Sequence, residues 1–318
     1  MRERRLDPVT GLWTTFTNVP PDRAAAEDSS CPLCPAQLGI ASYEVVVLED
    51  PHPPLEPSPP PTSTDSTDFY AVAAARGAAE IVAHGDQHDA TLKTLGVDAL
   101  ERAIHVWADR YADLGGREEI GYTLVHATVG EEAGATLAHP HSRVDGYPEI
   151  PPRPLRELEW ARRHLERTGR CVHCDVVRNE RRGGTRIVHQ DASFLAFVPF
   201  AARAPYEVHV ISQRHAASLL DLTNLERRAL SEILHRVLSA YDELFGRPLP
   251  YVLGIHQAPT DDGQWLDVSH LHVELVPPNR GPSELRRSYA PELEAGVLVN
   301  SGVPERSAEE LRTALAAA

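Results

Sequence analysis

The stretch that decides the fold is Leu137-Ala138-His139-Pro140-His141-Ser142-Arg143, in which two histidines stand one residue apart. We expect one histidine to hold a metal ion while the other faces a substrate. The loop before them is rich in small residues: Gly130, Ala133, Gly134, Ala135 and Thr136. Small residues let backbone approach a ligand closely. Such a loop beside an exposed imidazole suits a phosphate contact followed by nucleophilic attack.

The composition excludes several classes of protein. The chain has 318 residues, enough for one large core or two modest ones, and a formal net charge of −15. That charge argues against nonspecific nucleic-acid binding, which needs Lys and Arg to neutralise phosphates, but it leaves room for a nucleotide pocket. No apolar run approaches the length of a membrane span, and residues 1–5 lack the apolar core of a signal peptide. We therefore predict a cytoplasmic protein without a membrane partner.

The four cysteines form two pairs, Cys31/Cys34 and Cys171/Cys174. In a reducing compartment such pairs are metal ligands or redox dithiols rather than structural disulfides. A redox pair opens a helix after a strand, and we expect neither pair to have that setting. Because sixteen histidines are also available, zinc is the favoured occupant of each pair.

Hydrophobic patterning predicts an internal repeat. Strands are predicted at 43–48, 121–129, 194–198, 206–212 and 250–257, and helices at 97–113, 155–168, 224–245 and 308–317. Each half follows one order: cysteine pair, two strands, lone histidine, helix, strand, loop and His-x-His. This order predicts two copies of one α+β unit, over residues 1–168 and 169–318.

The repeat predicts two metal sites of equal composition. The first set is Cys31, Cys34, His88 and His139, and the second is Cys171, Cys174, His215 and His270. Two cysteines and two histidines are the ligands of a closed, four-coordinate structural zinc. We expect these metals to hold loops in place and to take no part in chemistry.

His141 is the predicted nucleophile. With His139 bound to zinc, His141 is fixed but uncoordinated, and its neutral imidazole can attack phosphorus and carry a nucleotidyl group. This route splits one transfer into two displacements and predicts ping-pong kinetics. The candidates to stabilise the equatorial oxygens of the transferring group are Ser142, Arg143, Thr136 and the backbone amides around Gly134 and Ala135.

The chain resembles the histidine-triad superfamily and, within it, the galactose-1-phosphate uridylyltransferase family. The matching segments are Arg5–Trp13, Cys31/Cys34, Gly134–Arg143, Pro199-Phe200, Pro205–Glu207, His256–Pro259 and Leu271–Glu274. The resemblance implies one extended half-barrel sheet of antiparallel strands with helices outside, and a homodimer. It implies that a nucleoside diphosphate sugar gives its nucleoside monophosphate to His141 and that a sugar 1-phosphate then collects it.

The departures from the family pattern cluster in the substrate pocket. Arg143 replaces a glutamine, Thr128 an asparagine, Asp50-Pro51 an Asn-Asp pair that contacts ribose, and Arg286 a lysine, while Arg23 keeps one of two arginines. A guanidinium adds a full charge and a bidentate fork. We therefore expect Arg143 to stabilise the covalent intermediate and to slow turnover, unless its contact strengthens mainly in the transition state. The resemblance then implies retained attack chemistry with an altered substrate or acceptor.

The resemblance leaves the second metal open. Some members use a later cysteine pair, which favours the second set above. Others use a glutamate and histidines, and Glu157, His256, His272 and Glu274 resemble that alternative. These four are expected to form either a metal site or a buried hydrogen-bonded cluster. His173, between two cysteines, is expected to be exposed.

Three functions fit the sequence. The first is a nucleotidyltransferase acting between a nucleoside diphosphate sugar and a sugar 1-phosphate, with its uridylyl and galactose preferences implied by resemblance alone. The second keeps His141 but uses phosphate, pyrophosphate or water, as a nucleotide-sugar phosphorylase, pyrophosphorylase or hydrolase, and Arg143 would favour such a small anion. The third is a catalytically silent nucleotide- or sugar-binding protein.

Overall fold

The structure is a computed structural model and describes residues 2–17, 31–261, 263–281, 284–285, 292 and 295–318. Its strands are β1 Arg2–Leu6, β2 Trp13–Thr17, β3 Val45–Glu49, β4 Val72–Ala74, β5 Ala78–His84, β6 Tyr122–Val129, β7 His141–Tyr147, β8 Ile187–Gln190, β9 Phe194–Phe197, β10 Val208–Ser212, β11 Tyr251–His256, β12 His272–Val276, β13 Asn279–Gly281 and β14 Glu284–Leu285. Its helices are α1 Pro35–Leu38, α2 Leu92–Gly115, α3 Pro152–Thr168, α4 Val172–Gly183, α5 Asn224–Phe245 and α6 Pro304–Ala317.

A central sheet contains nine of these strands in the order β3-β5-β7-β6-β11-β12-β10-β9-β8, and neighbouring strands are antiparallel. The first four come from the first half of the chain, and the next four repeat their order in reverse. The two halves therefore meet where β6 pairs with β11. This arrangement confirms the predicted α+β fold with one extended antiparallel sheet, beside which β2, β1 and β4 form a three-stranded sheet and β13 and β14 a two-stranded one. The division into units 1–168 and 169–318 stays a prediction.

Two long helices cover one face of the sheet. Helix α2 packs on β5, β6 and β7, helix α5 packs on β8, β9 and β10, and the two helices contact each other. Trp107 of α2 and Tyr241 of α5 are fully buried in the main core. Each helix begins with a capping box, at Thr91 and Thr223. The side chain of the N-cap residue accepts a hydrogen bond from the backbone N–H of the third helical residue, whose side chain accepts one from the N-cap backbone N–H. The apolar spacing of both helices thus forms the core, except that Leu225, predicted on the apolar face of α5, is 83% exposed.

Strand alternation decides which side chains of β7 enter that core. Ser142 and Val144 point toward α2 and are fully buried, while His141 and Arg143 are only partly buried. The Ser142 hydroxyl accepts a hydrogen bond from Trp107 Nε1 at 2.7 Å and lies 3.0 Å from His84 Nε2. These contacts tie the strand that carries His141 to helix α2.

Both cysteine pairs open a helix, which the sequence analysis does not expect. Cys34 is the N-cap of α1 and Cys171 is the N-cap of α4. Helix α4 is possible because Gly169, with φ +69°, ends α3 and turns the chain back. The element before Cys171 is thus a helix rather than a strand, so this pair still lacks the setting of a redox dithiol.

Within the described ranges, none of the helices combines the length and the apolar character that crossing a membrane requires.

Replacing Ser142 with alanine should lower the free energy of unfolding by about 1–3 kcal/mol, because it leaves the buried Trp107 N–H without its acceptor. Chemical denaturation measures the loss. Ser231→Ala is the matched control: Ser231 is also fully buried, but its hydroxyl donates to the Arg228 carbonyl within its own helix at 2.7 Å. Equal losses in the two variants would contradict the importance of the Trp107 contact.

Candidate active site and metal centres

His141 is the first residue of β7 and lies at the wall of a cavity. Its Nδ1 donates a hydrogen bond to the backbone carbonyl of His139 at 2.7 Å. With the proton held on Nδ1, the lone pair of the neutral ring is on Nε2. Burial lowers the pKa of His141, and the charge of Arg143 acts in the same direction. The side chain is therefore a neutral imidazole with one nitrogen available for attack.

The cavity beside His141 has a volume of ≈ 390 Å³. Thr128 and Ala135, two of the predicted substrate contacts, line it together with the segments 89–92, 129–132, 137–140 and 248–250. A cavity of this size suits a nucleotide or a sugar phosphate.

The small-residue loop forms a tight turn at one side of the cavity. Gly130 and Gly134 have φ values of +84° and +97°, which favour glycine. A Cβ atom at Gly130 would also meet Pro250 at 2.8 Å. However, the Gly134 N–H donates to Glu131 O at 2.8 Å and the Ala135 N–H to Gly130 O at 3.1 Å. These two amides bond within the turn, so a phosphate contact through them requires the turn to open.

Two predicted catalytic side chains have surroundings that differ from expectation. The Ser142 hydroxyl faces the core beneath the sheet, so its position does not support a contact with the transferring phosphoryl group. The Arg143 guanidinium does not present an unopposed charge. It forms an ion pair with the buried Asp50 and lies 3.8 Å from Asp145. The expected effect of an extra full positive charge is therefore opposed by two carboxylates.

The first predicted metal set is assembled at one end of β7. The ligand atoms of Cys31, Cys34, His88 and His139 all lie within 4.8 Å of one another. Cys34 Sγ is 3.4 Å from His88 Nδ1 and 3.7 Å from His139 Nδ1. A tetrahedral zinc site has sulfur and nitrogen ligands about 3.6 Å apart. These residues thus fit a four-coordinate metal.

Groups around the first set orient its ligands. His139 Nε2 lies 2.9 Å from the Gly85 carbonyl and 2.7 Å from the Tyr43 hydroxyl. The Tyr43 hydroxyl donates in turn to the carbonyl of Leu33, which lies between the two cysteines, at 2.5 Å. Such contacts leave Nδ1 of His139 as the metal-binding nitrogen and fix the ring orientation.

The second predicted set repeats this geometry. The ligand atoms of Cys171, Cys174, His215 and His270 lie within 4.8 Å of one another. The Cys171 and Cys174 sulfurs are 3.6 and 3.7 Å from His270 Nδ1. His270 Nε2 lies 2.8 Å from the Ser212 carbonyl, as His139 Nε2 lies near Gly85. All eight predicted ligands are therefore brought together in the two predicted groups.

The alternative residues of the second half also meet. Ligand atoms of Glu157, His256 and His272 lie within 4.8 Å of one another, and Glu274 contacts both histidines at 3.4 and 3.8 Å. His173 Nε2 lies 3.3 Å from Glu157, and its side chain is only 17% exposed. The expectation that His173 is exposed is wrong, because α4 packs it against this cluster. The donor set fits either a metal or a hydrogen-bonded cluster, as expected.

Tyr43, His126 and Asp145 are part of the site without being among the predicted residues. Tyr43 supports the first metal set, and His126 and Asp145 lie beside Arg143 with His126 Nε2 3.0 Å from Asp145. Strand alternation on β6 and β7 places His126 and Asp145 on the face of His141, so a strand-by-strand reading could have found them. The predicted contacts Arg23 and Arg286 lie outside the described residues.

Comparison with known proteins decides the family. The family model described as galactose-1-phosphate uridyl transferase, N-terminal domain, matches residues 1–151, and that of the C-terminal domain matches residues 157–279. The chain belongs to the galactose-1-phosphate uridylyltransferase family. The member from Thermotoga maritima is 31% identical over 314 residues, covering 98% of each chain. That from Streptomyces lividans is 30% identical over 323 residues, covering 98% of this chain and 86% of the relative.

The structure of this chain is also similar to a solved structure described as that of a uridylyltransferase. It is 31% identical, the superposition covers 99% of each chain, and the TM-score is 0.88. The similarity therefore extends over both halves of the sheet and includes the region of His141.

Tyr43→Phe should weaken metal binding at the first set by about 10- to 100-fold, because it removes a hydroxyl that orients both His139 and the cysteine loop. Competition with a chromophoric chelator measures the change. Tyr241→Phe is the control, since it removes another buried hydroxyl that donates to a backbone carbonyl, that of Tyr206 at 2.7 Å. A similar loss of metal affinity in both variants would contradict the assignment of Tyr43 to the metal centre.

Proposed function

We propose that this protein is a nucleotidyltransferase that exchanges a nucleoside monophosphate between a nucleoside diphosphate sugar and a sugar 1-phosphate. The observation that carries the proposal is the anchored ring of His141, whose Nε2 is left available at the wall of the cavity. Family membership indicates an enzyme rather than a silent binding protein. Because the relatives are named galactose-1-phosphate uridylyltransferases, we propose a uridylyl group and galactose 1-phosphate as the first substrates to assay.

The proposed reaction has two displacements at phosphorus. The lone pair of His141 Nε2 attacks the phosphorus attached to the nucleoside, and the bond from that phosphorus to the bridging oxygen breaks to release a sugar 1-phosphate. The ring becomes positively charged, and its Nδ1–H stays on the carbonyl of His139. A phosphate oxygen of the second sugar 1-phosphate then attacks the same phosphorus, and the bond to Nε2 breaks.

We propose Zn²⁺ at both Cys₂His₂ sets, where the ligand chemistry and the spacing fit this ion. A closed site of this kind supplies structural stability and leaves no position open for substrate. At the first set, zinc would fix His139 and thereby the carbonyl that orients His141.

The remaining expectations stay part of the proposal. Substrate contacts are proposed for Arg23, Thr128, Gly134, Ala135, Thr136 and Arg286, whereas Asp50, expected as a contact, is paired with Arg143. Cytoplasmic location and a homodimer are proposed from sequence and resemblance. Phosphate, pyrophosphate or water is the alternative acceptor, and a positive charge on Arg143 would favour such a small anion. Since Asp50 and Asp145 oppose that charge, a sugar 1-phosphate is the acceptor that we favour.

His141→Ala should abolish formation of a covalent nucleotidyl adduct while leaving the metal content and the fold intact. Intact mass after incubation with UDP-sugars and with other nucleotide sugars measures the adduct. His272→Ala is the matched control, because His272 Nδ1 contacts the His270 carbonyl at 2.8 Å in the second half, as His141 contacts His139. An adduct that persists in His141→Ala, or loss of metal in that variant, would contradict the assigned roles.

Cys31→Ser should remove one equivalent of zinc and destabilise the first half, since structural zinc binding is coupled to folding. Cys171→Ser should remove the other equivalent. Elemental analysis and thermal unfolding of each variant provide the measurement. A wild-type protein that binds no zinc after reconstitution would refute the metal assignment.

A further inference from the structure

The Arg143 guanidinium lies between two buried carboxylates on the face of the sheet that carries His141. Arg143 Nη2 forms an ion pair with Asp50 Oδ2, and Arg143 Nε lies 3.8 Å from Asp145 Oδ1. The Arg143 side chain is 30% exposed, whereas those of Asp50 and Asp145 are 4% and 6% exposed. Two shielded carboxylates therefore face one partly shielded guanidinium.

Each carboxylate has one oxygen held by the protein and the other turned toward Arg143. Asp50 Oδ1 accepts a hydrogen bond from the backbone N–H of His52 at 2.9 Å. Asp145 Oδ2 lies 3.0 Å from His126 Nε2 and accepts from the Tyr147 hydroxyl at 3.4 Å. These contacts fix both carboxylates, so negative charge faces the guanidinium from two sides.

The position of Arg143 relative to the nucleophile follows from strand geometry. Residues two apart on one strand share a face and lie about 7 Å apart. Arg143 is thus close enough to His141 for its charge to act on a phosphoryl group there. An unopposed guanidinium at this distance would hold a nucleotidyl intermediate too tightly, because a charge-assisted hydrogen bond is about twice as strong as a neutral one.

We infer that Asp50 and Asp145 are positioning residues that hold the Arg143 guanidinium and neutralise its charge toward the transferring group. The expected effect on decay of the covalent adduct rests on the proposed function. The expected effect on nucleotide affinity depends only on the charge that an anion meets. Because two carboxylates face one guanidinium, the group carries no net positive charge, and Arg143 donates hydrogen bonds without adding one. Asp50 then serves the reaction through Arg143 rather than through a contact with ribose.

Asp50→Asn should remove one of the two carboxylate charges that oppose Arg143 while keeping the size and shape of the side chain. Binding of uridine 5′-monophosphate, measured by calorimetry, should become about tenfold tighter, and the covalent adduct should decay about tenfold more slowly, since neutral and charge-assisted hydrogen bonds differ by about that factor. Asp145→Asn should act in the same direction with a smaller effect, because its contact with Arg143 is longer. It provides the test if Asp50→Asn does not fold.

The decisive comparison is the double variant Asp50→Asn with Arg143→Gln. If Asp50 acts through Arg143, its effect on nucleotide binding disappears in this background. Glu180→Gln is the matched control: Glu180 pairs with Arg186 at 2.8 Å, and both side chains are largely buried, in the second half of the chain. It should lower stability without changing nucleotide binding or adduct decay.

Three results would overturn the inference: weaker nucleotide binding in Asp50→Asn, unchanged binding, or an effect that persists with Arg143→Gln. Weaker binding would mean that the carboxylate contacts the ligand itself. The binding readout also separates the two proposals. Tighter binding in Asp50→Asn without an adduct in the wild-type protein would uphold the inference and refute the nucleotidyltransferase. An adduct in the wild-type protein, with nucleotide binding unchanged in Asp50→Asn, would support the nucleotidyltransferase and refute the inference.

Discussion

The hydrogen bond between His141 Nδ1 and the carbonyl of His139 is the contact on which the site depends. Residues two apart in a regular strand share a face, so two histidines with this spacing would normally point into the same environment. Here His139 precedes the strand, and β7 begins only at His141. The side chain of His139 joins the cysteines while its carbonyl orients the next histidine. The proposed metal centre and the proposed nucleophile are thereby linked through His139.

The second half repeats this contact but not its surroundings. His272 Nδ1 lies 2.8 Å from the His270 carbonyl, and His270 belongs to the second Cys₂His₂ set. The Nε2 atom of His272, however, lies 3.4 Å from a carboxylate oxygen of Glu157, and the cavity that His272 lines has a volume of only ≈ 20 Å³. A carboxylate at that distance repels a phosphate group. The backbone contact is repeated in both halves, but the proposed chemistry needs surroundings that only the His141 copy has, because function resides in the residues placed around the shared scaffold.

The effect of Arg143 on a phosphate group depends on which charged residues the fold places beside it. Arg143 in isolation is a strong phosphate ligand. Asp50 follows β3, which is two strands away from β7 in the sheet, and its backbone is held by a bond from its N–H to Ala79 O at 3.1 Å on the intervening strand. The strand order of the sheet therefore places a buried carboxylate beside Arg143, although the two residues are far apart in the sequence. No local pattern around either residue predicts that pairing.

Sequence patterns predicted the repeated α+β unit and the grouping of the eight candidate metal ligands, because periodicity and ligand spacing are local properties that the order of the elements then constrains. The antiparallel sheet and the family were implied by resemblance. Only the tertiary structure decided that the Ser142 hydroxyl is buried, that His173 packs into a carboxylate cluster, and that Arg143 is paired. Each of these outcomes depends on which distant strand or helix supplies the neighbour. Residue type determines which groups a side chain can bind, but strand order and helix packing determine which groups lie next to it.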